Sequence, residues 1–540
     1  MSNKTIAKNT LFLYIRMLFN MGAMLYISRV VLRVLGVEDF GIYTIVMGVV
    51  ILFSFFNGTM TATTQRFINV EKASNDSNDS NDSNDSNDSN DSNDSNDSND
   101  SNDSNDSNDS NRVNQVFNIS ILNHLFIMLV VVILAETVGL WFLNHKLNIP
   151  APRMNAANIV YQVALLIALV EIIKVPFNAM IVAHERMSFY AWLGLAETGL
   201  KLGAIFILMQ IENHDKLISY SLLLLCVSLL VFTLYFRFTR NAFHAETRFH
   251  FQKDLGKIKE MMHFSGWMLV GQVAYVGSTQ GLNMVTNLFF GVTANAAVGI
   301  ATQVDTAVYS FVNNFQVAFN PQLVQSYAAK DYDRNKKLIL GTSKYSFYLI
   351  AILSAPVLYF SHTLLTLWLG DHVPQYSDKL VQATIVCSLI SAMAGSFWMT
   401  ALAIGSHTIK RYNIVLATID LCTVPLAYYL FTLGYNPVFA FIGKFCTASL
   451  MQIYRLYFIN NKIKFNRKEF VSYLLNIGII FAFLLGLIYL SNTQRTYSLV
   501  EFIGEAILIE IVLFALILLI GLNKTEKNVL FSYLLKRVRK

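Results

Sequence analysis

The chain has 540 residues, 54% of them hydrophobic and 14% charged, with 41 Lys and Arg against 35 Asp and Glu and a mean hydropathy of +0.45. Soluble domains carry roughly a quarter charged residues, so this composition excludes an ordinary water-soluble enzyme or binding module and calls for lipid as part of the solvent. The net charge of +6 sits in loops beside apolar spans and does not call for a nucleic-acid partner.

The N-terminus, Met1-Ser-Asn-Lys4, runs into an apolar stretch too long for the core of a leader and without a small-residue cleavage site, so no cleavable leader is expected. Runs able to cross ~30 Å of hydrocarbon need about 20 residues. In the first half they fall near 10–34, 41–63, 117–143, 157–182, 188–210 and 217–239. In the second half they fall near 264–290, 294–320, 343–368, 379–404, 410–433 and 436–459, with a final pair near 471–491 and 499–522. That makes an all-α polytopic membrane protein of about 14 transmembrane helices.

Lys and Arg in the loops set the orientation. Lys4, Lys8, the stretches 237–259 and 330–344, Lys410, Arg411, and the stretches 462–468 and 524–540 all fall on one side. Both termini are therefore expected in the cytoplasm. Between the second and third spans, residues 74–111 repeat Ser-Asn-Asp without interruption. With no apolar residue the repeat cannot build a core, so it reads as a disordered tether. Its oxygens suit calcium, but no glycine turn preorganises them.

Ionisable groups inside spans are the informative positions, because a charge at the bilayer centre costs at least ~2.5–3.5 kcal/mol and so faces a partner or a wet cavity. The fourth span carries Glu171 and Lys174 ahead of Pro176, and the fifth carries Glu197 and Lys201. At three and four residues apart, each pair can neutralise itself on its own helix, or face a cavity and offer charge to a hydrated cargo. Asp305 and Asp420 have no opposite charge on their own helix face, which makes them candidates for a coupling proton or cation, or for pairing with Lys444. The first span carries Arg16, Asn20 one turn later, and Arg29. Guanidinium suits phosphate through paired hydrogen bonds, against the alternative of snorkelling to headgroups. The seventh span is rich in small and amide residues, among them Gln272, Asn283 and Asn287, which suit either close helix packing or the hydroxyls of a polar ligand. The four cysteines lie in apolar runs without a CxxC spacing, and no Ser/His/Asp, HExxH or Gly-rich phosphate motif is placed to act. Neither a metal nor a cofactor is expected.

The hairpin Leu35-Gly-Val-Glu-Asp-Phe-Gly-Ile-Tyr43, the preceding Ser28-Arg-Val-Val-Leu-Arg33, and the stretch Asn313-Asn-Phe-Gln-Val-Ala-Phe-Asn-Pro-Gln322 resemble bacterial polysaccharide exporters and oligosaccharide flippases. These belong to the superfamily that also holds drug and toxin extrusion transporters and lipid II flippases. The resemblance implies two six-helix bundles around a central cavity, over residues 1–240 and 241–460, with an extra helix pair and basic tail over 461–540. A faint internal echo agrees with a duplication: Leu35-Gly-Val-(x3)-Gly-Ile42 returns as Phe290-Gly-Val-(x6)-Gly-Ile300. By the same resemblance, Arg16 matches the first-helix arginines of lipid II flippases, and the extra pair lines a groove for a lipid tail. The implied function is flipping of an undecaprenyl-type lipid-linked oligosaccharide across the bacterial cytoplasmic membrane. Membrane lipids and polysaccharide assembly enzymes are the expected partners. A drug-type exporter is the alternative, and a membrane-bound polymerase or acyltransferase is disfavoured by the small outer loops.

Overall fold

The structure, a computed structural model, describes residues 3–51, 64, 67–68, 100–184, 186–250, 254–328, 330–404, 406–491, 498–523 and 526–528; the side chains of some of these, including 3–17 and 100–110, lie outside the description. Every regular element among the described residues is helical. In lipid no water satisfies the backbone, so a spanning segment must close its hydrogen bonds internally.

Two long elements are each broken at one glycine. Helix α1, Asn3–Ile51, breaks at Gly36 (φ 81°, ψ 171°). After α2, Asp100–Leu134, which continues through a π turn to His145, come α3, Met154–Ala183, α4, Met187–Gln210, and α5, Lys216–Ala242. Helix α6, Leu255–Ala328, breaks at Gly291 (φ 71°, ψ −169°). At 1.5 Å per residue, positions twelve apart in one helix lie about 18 Å apart. Asn295 nevertheless donates to the Asn283 side chain at 2.6 Å, so the chain turns back at Gly291. Only glycine enters that left-handed region without strain, and the two breaks share nearly one backbone conformation. They fall on the first glycine of each half of the internal echo.

The second half continues with α7, Tyr332–Tyr359, α8, Ser361–Leu369, α9, Ser377–Ala392, α10, Ala394–Ile404, α11, Ser406–Leu421, and α12, Thr423–Thr432. It closes with α13, Val438–Ile463, α14, Arg467–Leu490, and α15, Leu499–Leu516, which ends in a π turn to Gly521. Ten stretches among the described residues are long and apolar enough to cross a membrane. One of them, Gly271–Gln316, contains both limbs of the Gly291 reversal. The chain is an all-α polytopic membrane protein. The second half of the expected span 41–63 and the tail beyond 528 lie outside the described residues.

The last twelve residues of the repeat depart from expectation, while residues 74–99 lie outside the described residues. Its composition predicts disorder across 74–111, but Asp100–Asn111 is helical and runs without a break into α2. Nucleating a helix is costly while extending one is cheap, and the buried apolar turns from Val113 onward supply the nucleus.

The helices form two compact units: residues 1–27 with 45–280, and residues 28–44 with 281–540. The first has an aromatic core. Phe177 of α3 meets Phe117 of α2 edge-on at 5.5 Å and Phe232 of α5 at 5.8 Å. In the second, the two echo motifs seat against one another through their second glycines. A Cβ on Gly41 would collide with the Val292 backbone, and one on Gly299 would lie 3.0 Å from Thr44 Oγ1. Ile42 and Ile300, next in sequence after those glycines, are fully buried.

Candidate functional site

In the first unit two pairs of intramembrane charges compensate one another. Lys174 and Glu171 pair at 2.5 Å on α3. The Lys174 ammonium also lies 5.6 Å from the Tyr235 ring centroid, and Ser228 of α5 donates to Glu171 at 3.4 Å. On α4, Lys201 donates to Glu197 at 2.6 Å. Next to Glu197, Thr198 donates to Asn20 of α1 at 2.9 Å. The spacings of three and four residues thus act as helix geometry requires, and each pair presents a dipole in place of a bare charge. Thr198 is what draws Asn20 to this group, a hydroxyl that spacing arguments about charge pass over. The Arg16 side chain lies outside the described residues. Arg29 is exposed and Gln272 partly exposed.

In the second unit one acid stands out. Asp305 on α6 has Ser388 of α9 and Lys444 of α13 as its polar neighbours, while its Oδ1 is sealed from solvent without a hydrogen-bond partner. The Lys444 ammonium also sits 5.9 Å from the Phe441 ring centroid, and the buried Cys387 thiol lies 3.5 Å from the Phe441 carbonyl. The charge that acts on Asp305 comes from Lys444 on another helix, 139 positions later in the sequence. Asp420, on α11, is partly exposed.

Several polar residues of the resembling motifs are occupied in holding helices together. Asn295 donates to both the backbone (2.9 Å) and side chain (2.6 Å) of Asn283, and Asn287 donates to Asn295 at 2.7 Å. All three are buried, so Asn283 serves the Gly291 reversal and not an open surface. Gln316, in the stretch 313–322, donates to the Ala392 carbonyl at 2.7 Å and to Ser346 at 3.1 Å. Gly395 leaves the room for it, since a Cβ there would collide with the Gln316 amide. Among the described residues, no group of three or more His, Cys, Asp or Glu is placed to hold a metal ion.

One buried ion pair escaped sequence reasoning because its partners lie 182 residues apart. Lys344, 5% exposed, donates to both carboxylate oxygens of Glu526 at 2.7 Å. Tyr345 and the Asn523 amide donate to the same carboxylate at 2.7 Å. Burial alone would raise the Glu526 pKa, but these donors and the Lys344 charge hold it below the usual carboxylate range.

No family model matches the sequence, and no curated protein matches it. Solved structures do match the fold. The chain superposes on the lipid II flippase MurJ in its inward closed conformation with a TM-score of 0.65 at 14% identity, covering 94% of this chain and 97% of that one. An inward-facing multidrug resistance MATE family transporter of the MOP superfamily gives 0.60 at 14% identity, covering 84% and 96%. A MOP superfamily transporter from Pyrococcus furiosus gives 0.53 at 13% identity, covering 85% and 97%. The fold is the one these membrane transporters share.

Proposed function

We propose that this protein is a flippase that carries a lipid-linked oligosaccharide across the cytoplasmic membrane by alternating access, without covalent chemistry. The observation that carries this reading is the extent of the match. The flippase structure spans 94% of the chain, the MATE structure 84%. The difference is about a tenth of the chain. The terminal helix pair, α14 and α15, suits a cargo with a long lipid tail, which needs an apolar surface to run along while its head crosses. The neutralised pairs Glu171/Lys174 and Glu197/Lys201 suit the head, since paired dipoles hold hydrated hydroxyls without trapping an ion.

In this reading both termini are cytoplasmic, Arg16 and Arg29 are candidates for the phosphates, and Asp305 is the proton-coupling group. Asp420 remains the second candidate for the coupling ion. The alternative, a drug-type exporter, shares the core but leaves the terminal pair without a task.

The test is a deletion strain. Loss of surface polysaccharide, with sugar-loaded carrier lipid accumulating in the inner leaflet, is the expected result. Unchanged polysaccharide with altered drug sensitivity would reject the flippase reading in favour of the exporter.

A further inference from the structure

The limb of α6 that follows Gly291 sorts its residues into two faces. At ~100° per residue, Thr302, Thr306, Ser310 and Asn313 fall within about 80° of one another, and Val304, Val308, Phe311 and Val312 fall on the opposite side. Thr302, Thr306 and Asn313 are exposed and Ser310 partly so, whereas Val312 is fully buried and the other three apolar residues are partly buried. The limb lies within a stretch apolar enough to cross a membrane, and yet its most open face is polar.

Other spanning helices of the same unit do the reverse. Leu450 and Ile453 of α13, Leu475 of α14 and Ile507 of α15 are 54%, 62%, 59% and 54% exposed, and such faces suit acyl chains. Hydroxyls and amides laid against acyl chains would lose water and gain no partner. The open face of α6 therefore looks into water. Its hydroxyls are also oriented alike, because each gives its proton to its own helix. Thr302 donates to the Val298 carbonyl at 2.8 Å, Thr306 to the Thr302 carbonyl at 2.7 Å, and Ser310 to the Ala307 carbonyl at 2.7 Å. A hydroxyl has one proton and two lone pairs, so this face presents acceptors to the water, one about every 6 Å along the axis.

A row of acceptors selects among ligands. Phosphate or an acidic sugar would bring acceptors of its own. An organic cation needs a carboxylate, and the one on this limb, Asp305, has an oxygen sealed from solvent and Lys444 as its charged neighbour. An uncharged sugar supplies hydroxyl donors at repeated intervals. We propose that this face of α6 is a subsite for the cargo head, in which Thr302, Thr306 and Ser310 accept hydrogen bonds from the hydroxyls of uncharged sugar units and the Asn313 amide extends the row. The subsite rests on the flippase reading and adds to it the chemical class of the head. Each rung is a single neutral hydrogen bond, weak enough to be given up in turn as the head moves.

The test places the full-length protein in proteoliposomes with sugar-loaded carrier lipid extracted from the deletion strain. The rate at which heads become accessible to impermeant periodate is read at limiting and at saturating cargo. Thr302→Val and Thr306→Val keep the side-chain shape and remove the acceptor. Each lowers the rate at limiting cargo about fivefold, as expected for one neutral hydrogen bond. Saturating cargo restores most of the rate, since the lost contact is one of binding. Thr302→Ser and Thr306→Ser keep the hydroxyl and stay within about twofold of the native rate.

The native rate in the variant carrying both valines, an equal loss in the serine variants, a loss that saturating cargo does not relieve, or a head built of acidic sugars alone would each overturn the subsite. Those outcomes leave the flippase reading intact, because the deletion strain has already supplied the loaded carrier. A deletion strain that accumulates no loaded carrier removes the flippase reading, and the subsite with it, before any variant is compared.

Discussion

Replacing Gly41 by alanine tests the seating of the two echo motifs against one another. Gly41 lies within the helical limb after Gly36, where alanine is the better helix former by about 1 kcal/mol. Against that gain stands a Cβ driven into the Val292 backbone. A backbone carbonyl cannot swing aside as a side-chain tip can, and forcing an extra carbon into a full contact costs about 1–3 kcal/mol. The packing term therefore exceeds the propensity term over most of its range, leaving the contact weaker by up to about 2 kcal/mol, or up to roughly 30-fold in its equilibrium. Gly478→Ala is the internal control. That glycine lies in α14 with nothing within 4 Å of the position its Cβ would take, so only the favourable propensity term of about 1 kcal/mol remains. Hydrogen exchange of peptides covering 37–46 and 292–300 reads the seating locally. Gly41→Ala should accelerate exchange in both peptides together, and Gly478→Ala in neither. Unchanged exchange in Gly41→Ala, with α14 peptides responding equally in the two variants, would refute the reasoning.

Four further outcomes are expected. Glu526→Gln leaves the Lys344 ammonium buried without its counter-charge and should destabilise the protein by about 3–5 kcal/mol, read as a fall in thermal midpoint; adding Lys344→Met should recover most of it. The loop pair Arg153–Asp215, at 2.5 Å, should give acid sensitivity. Burial alone would raise the Asp215 pKa, but Arg153 and the Ile218 and Leu217 amides hold it low. A carboxyl depressed in the folded state contributes stability above its unfolded pKa of about 3.9 and loses it as pH falls through the lower folded value. Asp215→Asn, which keeps the α5 cap, should flatten a stability profile measured between about pH 5 and 2 relative to the native chain. Asp305→Asn should remove the dependence of transport on a proton gradient while the protein still inserts and folds, checked in proteoliposomes with and without an imposed gradient. Replacing Lys174 alone by methionine should lower stability more than replacing Lys174 by methionine and Glu171 by glutamine together, because the single change strands a carboxylate in the span.

The span rhythm is legible in the sequence because crossing a bilayer imposes one length on every helix and one hydropathy on its surface. The reversals at Gly36 and Gly291 can be read for a related reason: a glycine between two apolar runs is the residue that turns a chain without strain. Local pairs such as Glu197/Lys201 come directly from helix spacing. The contacts that spacing cannot show are those between distant helices. Lys344 with Glu526 and Gln316 with the Ala392 carbonyl both depend on which helices become neighbours, and no periodicity in one helix encodes that. Asn283 illustrates the converse. An amide in an apolar span is equally suited to a sugar hydroxyl and to another asparagine, and only the fold around Gly291 decides between them. The end of the repeat defeats a reading by composition because composition describes a segment in isolation, whereas Asp100–Asn111 inherits its helix from the apolar sequence beyond it.

The clasp on Glu526 bears on how this protein can be handled at the bench. Trimming the chain at Leu522, just past its last span, is the natural choice for a shortened version, since the residues beyond it read as a polar appendage. That cut would take away the carboxylate on which Lys344, Tyr345 and the Asn523 amide converge. A purification handle fused beyond residue 528 spares it, whereas a protease site introduced before residue 526 would turn every cleavage into a destabilising event.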